Sequence, residues 1–488
     1  MILANRIGQG LFYCDESRRR NLHLDQKYVS IGRTDGGPHL LDPDGRRLFL
    51  RGVNANGLIQ YASDYQEEVP LAEDDFVEME ALGFNLLRLP VSWSRIMPEP
   101  DNPSHAYLEH ILAVVAMARN HRIHVIVDFH QDNYARNLAP AHESDGAPLW
   151  AVVTDWQWNW KMSGNPAVET AWSHFWHNDP VHGKGLEDHY LDALLFVVKG
   201  LVDEPGVLAY DLMNEPDPGW AIPGYFEARY LFPWYARAIA RLRTVDRNHL
   251  ILFEPSVIRD ATNVAIQCSR PFSNDPKLIY GPHCYTEVAS LPFQPVGRRT
   301  NPCLYACYVT AAMEAKGFGT PWLFGEFGID ATPAGDGWIQ DQMRFQHQFG
   351  VGGAFWVWKQ RPGFYGWEVV HPDGSLRTKT KRAQILAEPR VLAMGGRVES
   401  VQYDVDRKAL TVRGRLDRGA PAEALFYASG FAYDSPPVFE VIMSARRAPV
   451  VSTIEHLAYP SVPDVHGWRI LLDLSQVHGR YQIVMRPG

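Results

Sequence analysis

A strand-like run followed by a helix-like run recurs about eight times between residues 47 and 385. Nothing else in the chain restricts the fold as tightly. Successive strands joined through helices pair in parallel, because a crossover of that length brings the chain back to the same end of the sheet. Eight such units close into a (β/α)8 barrel, and the C-termini of its strands open on one face. Residues remote in sequence meet at that face.

Taken in order, RLFLRGVN (Arg47 to Asn54) reads as the first strand, and NLLRLPVSW as the second, with Arg88 near its end and Trp93 just beyond. HVIVDFHQDNY is the third and delivers Asp128, His130 and Asp132 towards the mouth. The fourth, VLAYDLMNEPDPGW, stops abruptly at Asn214-Glu215-Pro216, which places a carboxylate at the end of a buried strand. HLILFEP, the fifth, ends in Glu254-Pro255; KLIYGPHCYTE, the sixth, carries His283 and Tyr285. PWLFGEFG, the seventh, ends in Glu326, and GGAFWVWKQ, the eighth, holds Trp356 and Trp358. Helix-type runs fall at 105–121, 187–203 and around 224–244.

A chain of 488 residues exceeds one ordinary domain, and from Glu388-Pro389 the pattern changes to short β-type runs with turns between them. The expected division is a barrel over 1–388 and an antiparallel β-sandwich over 389–488. Residues 1–45 read as a leader segment with a turn at Asp42-Pro43-Asp44-Gly45. A long insertion at 133–186 holds Trp150, Trp156, Trp158, Trp160, Trp172 and Trp176. Loops of that length serve function unless disordered, so it is expected either to wall a substrate cleft or to form a small core of its own.

With 46% hydrophobic and 21% charged residues the chain can bury a large core. A formal charge of −9 argues against nucleic acid as partner, since phosphate binding wants a basic face. Five cysteines form no metal-type pair of pairs, and Cys303 and Cys307 read as packed thiols one helical turn apart. No signal peptide is visible, and there is no run of eighteen apolar residues to span a bilayer.

The chemistry follows from Glu215 and Glu326. An apolar run ending in Glu is as often a carboxylate paired with Arg as a catalytic group, but two of them on opposing sides of a barrel meet the needs of glycoside cleavage. That reaction takes one protonated carboxyl for the leaving oxygen and one ionised carboxylate about 5 Å away if configuration is retained. Arg88 and Tyr285 would hold the nucleophile ionised, while neighbouring fields keep the other glutamate protonated. Asn214, His130 and Asp132 would bond sugar hydroxyls, and Trp356 would offer a flat face. Glu254 reads as a decoy whose change to Gln is tolerated within a few-fold. Two other readings are a metal-assisted hydrolase built on His130, Asp132 and His283, and a glycan-binding protein on a spent scaffold.

RLP with Arg88, DFHQD with His130 and Asp132, DLMNEP with Asn214 and Glu215, HCY with His283 and Tyr285, GEFG with Glu326 and FWVW with Trp356 resemble glycoside hydrolase family 5. With the C-terminal β-domain, they are most similar to its endoglycoceramidase branch. The resemblance implies a retaining mechanism with Glu215 as acid/base and Glu326 as nucleophile, no metal or organic cofactor, and a β-linked glycolipid substrate met by transient contact with a membrane or micelle surface. The branch tends to place a lysine in the loop after the first strand. Residues 55–70 contain none, with Gln60 the nearest polar substitute. The ceramide-linked sugar therefore stays open, as do a glucosidase of simple glycolipids such as glucosylceramide or steryl glucoside and a non-lipid endo-β-glycanase.

Overall fold

The computed structural model describes residues 28–59, 70–138, 145–155, 165–264, 267–285, 302–329, 332–359, 367–370, 381–443, 446–463 and 465–488. Gln60, Cys14, Trp156, Trp158 and Trp160 lie outside them. Eight parallel strands are β1 (Arg51–Asn54), β2 (Leu86–Ser92), β3 (His124–His130), β4 (Val207–Asp211), β5 (Leu250–Phe253), β6 (Leu278–Tyr280), β7 (Phe324–Phe327) and β8 (Gly353–Phe355). Their order is β6-β5-β4-β3-β2-β1-β8-β7. A parallel bridge between Tyr280 and Trp322 joins the two ends and closes the barrel. Every residue of β2 and β5 is buried, as expected of strands with helices outside and barrel lumen inside.

Helices return the chain between strands and start where the sequence supplies a cap. Ser104 accepts the Tyr107 N–H at 3.2 Å at the head of His105–Asn120, and Thr332 accepts the Gly335 N–H at 3.0 Å at the head of Pro333–Phe349. Gly350 ends the latter helix in the left-handed conformation.

Two antiparallel sheets lie at the C-terminal end. One is five-stranded, ordered 397–404, 409–416, 479–486, 438–443, 446–448. The other is seven-stranded, and it takes in 30–34, 37–41 and 47–48 beside 390–394, 423–429, 466–473 and 451–458. The strand at 409–416 alternates buried and more exposed residues, the mark of a sheet with one face on a core. That core includes Val412, Phe426, Ile470 and Ile483.

Two expectations need correction. The run Arg47–Asn54 is not one strand: Arg47–Leu48 pairs antiparallel with Ala393–Met394, while Arg51–Asn54 enters the barrel. Asn85 fixes the changeover, its amide donating to the Phe49 carbonyl at 2.9 Å and its side-chain oxygen accepting the Arg51 N–H at 2.9 Å. The described part of the leader segment, in turn, is a hairpin in the C-terminal sheet, so sheet pairing runs across the division at 388. From that hairpin Leu40, with Val29 just before it, joins the apolar cluster of Leu86, Ile126, Leu252, Ile279 and Ala354 inside the barrel. The turn at Asp42–Gly45 is present, with the Gly45 N–H bonded to the Asp42 carbonyl at 2.9 Å.

The sandwich docks on the helix Glu73–Ala81 and the turn after it. Tyr427 donates its hydroxyl to the Ala81 carbonyl at 2.8 Å, and Tyr459 and Arg469 reach the buried Glu80 at 2.7 and 2.9 Å. Gly83, at φ +73°, lies under the Tyr427 ring, where a Cβ would come within 2.4 Å of it.

Candidate active site

Inside the barrel the residues that face inward follow each other at every second position. Low in the lumen these are apolar; two residues later they are polar. Leu86 is followed by Arg88, Ile126 by Asp128 and His130, Ala209 by Asp211, Leu252 by Glu254, and Ala354 by Trp356.

Arg88, with none of its side chain exposed, is the hub. Its guanidinium lies 3.0 Å from Asp128, 2.9 Å from Asp211, 2.8 Å from Glu254 and 2.5 Å from Glu326. It also donates to Asn54 at 3.2 Å and Asn214 at 3.0 Å. Burial works against its charge, but Asp128, Asp211, Glu326 and Glu254 outweigh burial and raise its pKa well above the ordinary value. Burial raises Asp211 far out of the carboxylate range, reinforced by Glu254. In Glu254 burial acts upwards too, but His283 and Arg88 overcome it and hold the carboxyl low.

Glu215 and Glu326 face one another across His283. Nδ1 of His283 is 2.9 Å from an oxygen of Glu215 and 3.6 Å from one of Glu326. Ligand-type atoms of the three residues all lie within 4.8 Å of one another. Glu326 also accepts the Tyr285 hydroxyl at 2.9 Å. Its side chain is 6% exposed against 21% for Glu215, so Glu215 is the one turned to solvent. Arg88 and Tyr285 thus bond Glu326 as expected, but they do not act alone. Burial pushes this carboxyl up, His283 and Arg88 pull it down, and the facing Glu215 pushes it up again, for a net rise.

Local backbone features aim both glutamates. The β7–β8 pairing shifts register between Phe324 and Phe327, and this irregularity takes Glu326 out of the alternation set by Leu323 and turns it inward. Glu215 sits at φ +40°, a left-handed conformation that costs a side-chain-bearing residue about 1–3 kcal/mol and is concentrated at functional sites.

The other expected contacts are more committed than anticipated. Both ring nitrogens of His130 are engaged, by Asp128 at 2.7 Å and Asp132 at 2.9 Å, so the ring is spoken for within the protein. Asp132 is 28% exposed and so stands nearer to solvent than His130 at 2%. Asn214 accepts from Arg88 and donates to the Gln131 carbonyl at 2.9 Å, which leaves one amide hydrogen for a ligand. One face of Trp356 is stacked on His130, with centroids 5.4 Å apart and planes at 14°; the Trp356–Val357 peptide is cis.

The described tryptophans of the insertion build a core. Trp172 and Trp176, on the helix Pro166–Trp176, stack at 5.6 Å, and Trp176 donates to the Asp217 carbonyl at 2.7 Å. Trp93 packs against Trp150, Phe175 and Tyr190. Glu254 is fully buried and bonded to Arg88 at 2.8 Å and to the N–H of Glu215 at 2.7 Å, so it is an Arg-paired carboxylate that also touches the backbone of Glu215. Asp211 and Asn54 were passed over, although the period of two on their strands could have found them.

Among the described residues, four groups of His and carboxylates have the spacing of a metal site. Each contains Asp128, Glu254 or Glu326, all of which already bind Arg88, so the cation these acids need is built into β2.

The family model for cellulase, glycosyl hydrolase family 5, matches residues 41–362. The chain belongs to glycosyl hydrolase family 5. Within the curated proteins it is similar to endoglycoceramidase I of Rhodococcus hoagii (strain 103S), 31% identical over 192 residues, 38% of this chain and 36% of that one. The matched part thus spans about a third of that relative's length. Among solved structures it is similar to an endogalactoceramidase, with a TM-score of 0.75 and 24% identity over 93% of this chain and 99% of that one. It is also similar to endo-glycoceramidase II from Rhodococcus sp. in a ganglioside GM3 complex, with a TM-score of 0.74 and 24% identity over 92% and 99%. These two likenesses show the shared family fold, sandwich included.

Proposed function

We propose that this family 5 chain is a retaining hydrolase that cuts the β-glycosidic bond between a glycan and the ceramide of a glycosphingolipid. The separation of the two glutamates carries the reading. Oxygens of Glu215 and Glu326 within 4.8 Å suit a covalent mechanism, for which carboxyl groups about 5 Å apart are required; an inverting site needs about 6.5–9.5 Å to admit water between carboxylate and sugar.

In the first step the Glu326 carboxylate attacks the anomeric carbon while Glu215 gives its proton to the leaving oxygen, and ceramide departs as the alcohol. Water then attacks the same carbon, Glu215 takes its proton, and the Glu326 ester bond breaks to release the glycan. Arg88 and Tyr285 steady the charge that returns to Glu326. Asp132 and the remaining amide hydrogen of Asn214 are the groups for sugar hydroxyls, and the indole of Trp356 is the stacking surface.

Two observations support a lipid leaving group. The relatives and neighbours named above are glycoceramide hydrolases by name. Beyond Glu215, the more exposed of the pair, the chain also raises an apolar crest: Trp220, Ile222 and Tyr225 are 60%, 74% and 58% exposed. Contiguous exposed apolar groups mark contact surfaces, and these three follow the proton donor within ten positions of the sequence. Among the described residues no helix is long and apolar enough to cross a membrane, so contact with a micelle or bilayer would be made by surface groups such as these.

The test is a panel of ceramides carrying glucose, galactose or lactose, assayed for free glycan with wild type and Glu326→Gln. Release by wild type and its loss in the variant are expected. Preferential turnover of a steryl glucoside or of a cello-oligosaccharide would transfer the same chemistry to the alternative substrate, and an active Glu326→Gln would remove the mechanism.

A further inference from the structure

We infer that Glu254 is a positioning residue that holds the proton donor Glu215 in its working geometry and orients His283 towards it; this rests on the reading of Glu215 and Glu326 given above. Glu254 is fully buried and so acts through other groups. One carboxylate oxygen accepts the N–H of Glu215 at 2.7 Å. The other accepts from Arg88 at 2.8 Å and lies 3.2 Å from Nε2 of His283. One side chain from the end of β5 therefore touches the backbone of one catalytic glutamate, the cation bound to the other, and the imidazole between them.

The contact with the Glu215 N–H falls where the chain most needs holding. Glu215 is at φ +40°, and such a conformation persists only when its surroundings over-determine it. A hydrogen bond to an ionised acceptor is about twice as strong as a neutral one, and here it acts on the residue that is strained. Nothing on β4 itself supplies this acceptor.

The second contact biases the placing of a proton. Which nitrogen of an imidazole is protonated is set by the partner of the other. The Glu254 carboxylate, 3.2 Å from Nε2, favours a proton on that nitrogen by charge rather than through an aligned hydrogen bond, and Nδ1 faces Glu215 at 2.9 Å. Glu215 must be protonated when ceramide leaves and ionised when water attacks, and Nδ1 can donate to or accept from it as the cycle turns. The other ionisable or charged groups around His283 are Glu326 from β7 at 3.6 Å, Asp260, which accepts the backbone N–H of His283 at 3.0 Å, and Tyr285, with ring centroids 6.3 Å apart. Around Glu254 stand Arg88 from β2, Asp211 from β4 and the Tyr235 hydroxyl, which bonds its carbonyl at 3.0 Å. Arg88 keeps Asp128, Asp211 and Glu326 when Glu254 loses its charge, so the nucleophile is less dependent on Glu254 than the proton donor is.

The substrate should reveal this difference. Glycosyl fluorides leave without protonation, whereas ceramide needs it. For Glu254→Gln we expect kcat/KM on glucosyl-, galactosyl- or lactosylceramide to fall about 10²-fold, the low end of general acid catalysis. On the β-glycosyl fluoride of the same sugar the fall should stay under about tenfold, and the alkaline limb of the pH profile on ceramide should move. His283→Gln should show the same split, and it carries the test if Glu254→Gln does not yield folded protein by circular dichroism. Equal losses on both substrates with an unmoved pH limb would mean a merely structural role and overturn the inference, as would activity within about threefold of wild type. Glu326→Gln, run alongside, separates the two levels: an inactive Glu326→Gln beside an unaffected Glu254→Gln leaves the function standing and removes only this role.

Discussion

The lower and upper halves of the barrel lumen are built from the same strands, two residues apart, and have opposite characters. Below, Leu86, Ile126, Leu252 and Ile279 meet Val29 and Leu40 in an apolar plug. Above, Arg88, Asp128, Asp211, Glu254, His283 and Glu326 form a buried ionic lattice. Hydrophobic burial stabilises the lower half directly, whereas charges taken out of water return little net stability even when paired. The lower layer can therefore be read as the foundation, and the upper layer as a cost the fold bears for chemistry.

The sharpest way to break that contrast is to remove the cation. Arg88→Met would remove the cation shared by Asp128, Asp211, Glu254 and Glu326, and is expected to lose about 3–5 kcal/mol of stability and at least about 10³-fold in kcat/KM. Denaturant unfolding and the glycolipid assay measure both; a stable, active variant would show that the lattice is dispensable. Leu252→Ala, two residues below Glu254, should cost about 2–5 kcal/mol through a cavity while leaving kcat/KM within about threefold where the protein is folded. A kinetic loss as large as the stability loss would mean that the halves are not separate.

The upper half should also carry a pH signature that the lower half lacks. Burial disfavours the charge on His130, but Asp128 and Asp132 outweigh it and raise its pKa well above 6.5. The folded protein then binds a proton that the unfolded chain gives up near 6.5, so this stabilisation is complete below 6.5 and is lost as pH rises through the folded value. The expected slope is up to about 1.4 kcal/mol per pH unit for one group. Melting temperatures from pH 6 to 9 should fall less steeply in His130→Gln; an unchanged slope would place the titration elsewhere. The smallest effect is expected far from both halves, at the sandwich contact. Tyr427→Phe should lose about 1 kcal/mol with its bond to the Ala81 carbonyl, and no activity.

What the sequence determined by itself was the barrel, the later β-rich sandwich, and which strand ends carry acids. Period is a local property: parallel strands buried on both faces read as apolar runs, and the residue at which such a run stops is visible without any contact map. That is why Glu215, Glu326, Arg88 and Tyr285 could be picked from the chain. It is also why Glu254, which ends a run just as they do, was picked out and then set aside, for nothing local says which neighbours a strand end will meet.

Only the tertiary structure decided the rest. The closing of the sheet brings Arg88 to four acids from four strands, the shift between Phe324 and Phe327 turns Glu326 inward, and a left-handed turn presents Glu215. The pairing of residues 47–48 with 393–394 gives the leader hairpin to the sandwich, although the run from 47 to 54 is continuous in sequence. Each of these depends on non-local pairing and on register, and a one-residue slip in register reverses the side a residue faces without altering the sequence that encodes it.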